Sequence, residues 1–87
     1  MKKKELYQHL IETAEKLNIK VSEQNLRVTN VNAKSGLCQV KGEYVFIMDK
    51  HLTLSEKIEL LSECLQSQPL DSIYIIPAVR EFILGPD

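Results

Sequence analysis

The residues of this chain that could do chemistry are few and scattered. Cys38, Cys64, His9 and His51 are its only cysteines and histidines. A nucleophilic mechanism would set a cysteine or serine beside a base, and no stretch of sequence pairs them. Cys38, His51 and Cys64, with His9, are the right types for tetrahedral zinc. Structural zinc sites usually show tight local pairs such as CxxC or HxxxH, whereas each of these residues stands alone. Cys38, His51 and Cys64 remain as metal candidates on residue type only, and the bland alternative is two buried thiols and two surface imidazoles. Glu56, Glu59 and Glu63 share one side of a helical stretch, which reads as a solvated acidic face or as a surface that recognises a basic partner. None of the three glycines falls in the spacing of a phosphate-binding loop.

Composition bounds the remaining classes. Eighty-seven residues make one domain, spanning 1–87, with a modest core. Eleven basic and 12 acidic residues leave a net charge of −1, which gives no footprint for nucleic acid. The run Lys2-Lys3-Lys4 is followed at once by Glu5 and suits a solvated helix start. No apolar run approaches the roughly 20 residues that span a bilayer, so no membrane association is expected. Two lone cysteines and no signal-peptide pattern point to a cytoplasmic location. No cofactor is implied.

The elements that must position these residues are easier to read. Leu6, Tyr7, Leu10, Ile11, Ala14 and Leu17 recur at helical spacing, predicting a helix over 2–18 that Asn18 can end in the left-handed conformation. Residues 20–34 are polar, and a short strand around Leu26, Val28 and Val31 is the reading offered for them. Residues 37–40 and 44–48 flank Lys41-Gly42 and predict a tight hairpin. It pairs Val40 with Glu43, Cys38 with Val45 and Leu37 with Phe46. Thr53-Leu54-Ser55-Glu56 matches a capping box opening a helix to about Gln66. Its stripe is Leu54, Ile58, Leu61 and Leu65, with Leu60 and Cys64 alongside. A last strand over 73–76, parallel to 44–48, and a short helix over 78–84 entered through Pro77 complete the chain.

The predicted order is α-β-β-β-α-β-α, an α+β fold. It has a small mixed sheet of three to four strands around a central hairpin, with helices mainly on one face. The uncovered face would carry one of two apolar sets. Leu37, Tyr44, Phe46 and Met48 are taken as the interface, and Cys38, Val45 and Ile47 form the other set. Such a patch marks a protein partner or a homodimer.

The hairpin Ser35-Gly36-Leu37-Cys38-Gln39-Val40-Lys41-Gly42-Glu43-Tyr44-Val45-Phe46-Ile47-Met48-Asp49 with its capped helix, and the ending Leu70-Asp71-Ser72-Ile73-Tyr74 then Pro77-Ala78-Val79-Arg80-Glu81, resemble a family of short uncharacterised bacterial proteins. That likeness carries no activity. Hairpin followed by helix is also distantly similar to the minimal zinc peptidases of the ImmA/IrrE type, which bear His-Glu-x-x-His on that helix. Overlaid there, Ser62-Glu63-Cys64-Leu65-Gln66 keeps Glu63 and lacks both histidines, so the resemblance implies a scaffold without peptidase chemistry. The expected function is a non-catalytic protein-interaction or self-assembly module. The alternatives are peptide or small-ligand binding at a sheet edge or groove, and then a metal-dependent hydrolase remnant.

Overall fold

The computed structural model describes residues 1–25 and 36–85. The predicted strand around Leu26, Val28 and Val31 lies outside them. In chain order the elements are α1 (Lys3–Lys16), β1 (Ile19–Gln24), β2 (Gly36–Val40), β3 (Glu43–Asp49), α2 (Leu54–Gln66), a 3-10 turn (Leu70–Ser72) and α3 (Pro77–Leu84). The sheet has the order β1-β3-β2, with β1 parallel and β2 antiparallel to β3. This is the α+β fold with a mixed sheet and a central hairpin. Among the described residues no helix is long and apolar enough to cross a membrane.

Local chemistry sets each boundary. Asn18 takes φ 64° and turns α1 straight into β1, a conformation that costs Asn little. In β1, Ile19 faces the core and Lys20 faces solvent, and the alternation then ends in the polar run Ser22-Glu23-Gln24. That charged ending hid the strand from a reading of hydrophobic alternation. The capping box at α2 is complete. The Thr53 N–H donates to Glu56 Oε1 at 2.9 Å, and the Glu56 N–H donates to Thr53 Oγ1 at 3.2 Å. The donated Thr53 N–H holds the Glu56 carboxyl below its ordinary value. Pro77 occupies the first turn of α3, where its missing N–H is harmless.

The hairpin has the expected register, Val40 to Glu43, Cys38 to Val45 and Leu37 to Phe46. Lys41 at φ 50° and Gly42 at φ 83° are both left-handed, which defines a type I′ turn whose twist matches the strands. Gly42 adopts that conformation freely, and Lys41 does so against its Cβ.

The helices cover the sheet face built by Ile19, Phe46 and Met48. These join Leu10 and Ala14 of α1, Ile58, Leu61 and Leu65 of α2, and Val79 and Ile83 of α3 in one core. Buried Thr13 satisfies its hydroxyl by donating to the His9 carbonyl at 2.7 Å. The interface set expected on an open face needs correction here. Phe46 is 4% exposed and Met48 0%, because their face is the one the helices bury. Leu37 at 40% and Tyr44 at 48% escape burial, Leu37 on the edge strand and Tyr44 near the hairpin turn. The opposite face carries Val45 and Ile47, half-buried, with Cys38 and Val40 exposed.

Residues 73–76 are extended but join no strand ladder. Ile75 is buried in the core and Ile73 and Ile76 pack partly against it, while Tyr74 stays exposed; Lys16 of α1 donates to the Tyr74 carbonyl at 3.1 Å. Proline on either side, Pro69 and Pro77, keeps the segment short.

Two substitutions test this packing. Leu61→Ala opens a cavity at the centre of the core and is expected to cost about 3 kcal/mol in urea unfolding. Lys41→Asn relieves the left-handed strain at the turn and is expected to add roughly 0.5–1 kcal/mol in the same measurement.

Candidate functional site

Among the described residues the order β1-β3-β2 makes β2 an edge strand. In a two-residue hairpin the pair flanking the turn exchanges two hydrogen bonds, and bonded and non-bonded pairs then alternate along the ladder. Val40–Glu43, Cys38–Val45 and Gly36–Ile47 are therefore the bonded pairs. Leu37 and Gln39 turn their N–H and C=O groups away from β3. Among the described residues no backbone group accepts from or donates to that outer edge.

Alongside this edge lies a groove of about 310 Å³. Its floor is Gly36 and Leu37 of β2 with Phe46 of β3, and its wall is Leu60, Glu63 and Cys64 of α2 with Ser67, the residue that caps it. Spacing of i, i+3, i+4 and i+7 places those four on one stripe of the helix. The stripe is distinct from Ile58, Leu61 and Leu65, which bury into the core. So α2 has two working faces, one closing the core and one walling the groove. Because Leu37 shares the helix-facing side of the sheet with Phe46, a residue paired beside Leu37 at the free edge would point its side chain into this groove.

The groove is largely apolar with one charge. Glu63 is exposed, and Cys64 is half-buried. Burial pushes the Cys64 thiol above its ordinary pKa, which favours the neutral, weakly nucleophilic form. Cys38 is exposed on the opposite face of the sheet, its Sγ 3.9 Å from the Gly36 carbonyl oxygen. Two other hollows lie among the described residues. One sits where α1 meets β1 and the hairpin turn, lined by Asn18, Lys20, Glu43 and Tyr44, and a smaller one lies between α1 and residues 74–76. Neither adjoins a free strand edge of β2.

The metal candidates are not brought together. The described residues hold no group of three or more His, Cys, Asp or Glu placed to bind an ion. Cys38 and Cys64 occupy opposite sides of β2. The backbone N–H of His51 donates to Asp49 Oδ1 at 3.0 Å in the loop before α2. His9 lies on the flank of α1, its Nδ1 3.9 Å from Glu12. In the stretch overlaid on the peptidase motif, Ser62 is buried and Gln66 donates to the Ile83 carbonyl at 3.0 Å.

One polar cluster had no signature in the sequence. Tyr7 of α1 donates to Glu23 Oε2 at 2.8 Å, and Lys57 of α2 donates to Glu23 Oε1 at 2.6 Å. Glu23 lies on the helix-facing side of β1, so one carboxylate ties two helices to the strand. Burial first, and then the bond to Glu23, raise the Tyr7 phenol above its usual pKa. The hydrogen bond from Lys57 leads in lowering Glu23, against a smaller opposing cost of burial. The cluster reads as a structural tie, since none of the three hollows is lined by Tyr7, Glu23 or Lys57. Only the assignment of β1 as a strand, with Glu23 in phase with Ile19 and Val21, could have revealed it. Compared with known proteins, the chain matches no family model, no curated protein and no solved structure.

A depressed carboxylate stabilises the fold above its unfolded pKa and loses that contribution as pH falls through the folded value. Glu23→Gln is accordingly expected to cost about 1 kcal/mol at pH 7. In urea titrations the gap to wild type should narrow progressively once the pH drops below about 4.5. For the thiols, limiting iodoacetamide at pH 8 should modify Cys38 well ahead of Cys64, as read by peptide mass mapping.

Proposed function

We propose that this protein is a protein-interaction module that takes up an extended segment of a partner by strand addition at the outer edge of β2. The observation that carries this reading is the coincidence of two features on one edge. The Leu37 and Gln39 backbone groups face outward, and the groove between β2 and α2 opens beside them. An added strand satisfies the first through main-chain hydrogen bonds, and alternate side chains fill the second; the former gives affinity and the latter specificity. The likeness to the ImmA/IrrE-type scaffold fits the same reading.

Self-assembly is a second reading, favoured by Val40, which is 48% exposed, beside Cys38, Val45 and Ile47 on the face away from the helices. Light scattering separates it. A dimer has a mass of 2 × 10.0 = 20.0 kDa and should fall to the monomer value in Val40→Glu.

The test of strand addition is selection of phage-displayed random octapeptides on the wild-type protein, with Gln39→Pro as counter-target. Proline there removes an outward N–H and leaves the ladder to β3 intact. Selected peptides are expected to bind wild type and to lose at least tenfold in affinity for a variant of unchanged Tm. Peptides that bind both forms equally, or a selection that enriches none, would overturn the reading.

A further inference from the structure

The charge of the groove bears on what kind of segment it accepts. Its floor and most of its wall are uncharged: Leu37, Phe46, Leu60 and Cys64, with Ser67 at one end. Among the described residues Glu63 is the one charged residue of its lining, and its carboxylate has no hydrogen-bond or ion-pair partner among them. Glu59, one turn earlier on α2, is exposed and adds to the same negative field. The one lysine of α2 is turned the other way. Lys57 is engaged by Glu23 at 2.6 Å on the β1 side of the helix, so it cannot neutralise the groove. Among the described residues no lysine, arginine or histidine lines the cavity.

We infer that the segment bound at β2 is basic: on its face toward α2 it carries an apolar side chain that fills the groove over Leu37 and, two residues away, a lysine or arginine that meets Glu63. This inference rests on the strand-addition reading and narrows it to one partner chemistry. Period-two geometry requires the spacing, because only alternate residues of an added strand point to one face. Electrostatics sets the sign. An acidic residue at the second position would face Glu63 across a short gap with no counter-ion, and a lysine there gains attraction on a partly desolvated surface. The same charge disfavours a second copy of this chain as the occupant. Two β2 edges paired about an axis normal to the sheet would place both α2 helices on one side, Glu63 facing Glu63.

The experiment uses octapeptides selected on the wild-type chain, resynthesised with lysine, glutamine or glutamate at the position two residues from the apolar anchor. Binding is read by fluorescence anisotropy at low salt and in 0.5 M NaCl, and the edge is monitored through the Leu37 and Gln39 amide signals in NMR. The lysine peptide is expected to bind about tenfold more tightly than the glutamate one at low salt, with the ratio shrinking in salt. In Glu63→Lys, an exposed change that leaves the fold intact, the preference should reverse. Peptides that shift the Leu37 and Gln39 amides yet bind equally with lysine and glutamate would overturn the basic-partner inference and leave strand addition standing. Peptides that leave those amides unmoved would overturn both. A preference for lysine that persists unchanged in Glu63→Lys would also sink the inference, by placing the attraction elsewhere.

Discussion

Everything in this fold hangs on β3 being bonded on both sides and buried on one. Its partners run in opposite senses, β1 parallel and β2 antiparallel. Phe46 and Met48 project from one face into a core shared by all three helices. A central strand of this kind can spend one face on the core and both backbone edges on its neighbours. The outer edges are then passed to β1 and β2, and α2, laid across the buried face, decides what borders each of them. On the β1 side the helices close up through Tyr7, Glu23 and Lys57. On the β2 side α2 presents a second stripe and leaves a groove. The asymmetry between the two edges is the structural basis of the proposed function.

Much of this was legible in the residues. The Lys41-Gly42 turn with apolar runs on either side fixed the register of β2 on β3, and Thr53 with Glu56 marked the start of α2 to the residue. Both signals are local, and the side chains that define them act within a few positions. What was not legible depends on tertiary choice. Period-two alternation divides a sheet into two faces without saying which one the helices cover, so alternation alone does not place Phe46 and Met48 in the core, where they belong. The strand β1 was obscured because its inward positions run Ile19, Val21, Glu23, and a glutamate reads as outward unless its partners Tyr7 and Lys57 are known. Residues 73–76 have strand propensity, but Ile75 finds its burial against helices and the segment never reaches the sheet.

The candidate site was half visible. A sheet edge open to an added strand was among the expectations, but at Leu26–Val28, which lie outside the described residues; an acidic helix face able to meet a basic partner was expected on α2 itself. Joining them required the structure, since Leu60, Glu63, Cys64 and Ser67 reveal themselves as a second stripe only once Ile58, Leu61 and Leu65 are seen to fill the first. The same geometry explains why Cys38, His51 and Cys64 do not meet. Alternation along β2 sends Cys38 to the face away from α2, while Cys64 stays on the groove side. Glu63, the residue that the peptidase overlay retains, lies at the groove wall beside Leu60 and Cys64.

The most direct measurement of the central claim is amide hydrogen exchange along β2 in the protein alone. If the edge is open, protection should alternate: Cys38 and Val40, bonded to β3, exchange slowly, while Leu37 and Gln39 exchange orders of magnitude faster. Uniform slow exchange across all four amides would mean that the outer edge of β2 is already paired, and strand addition there would be contradicted.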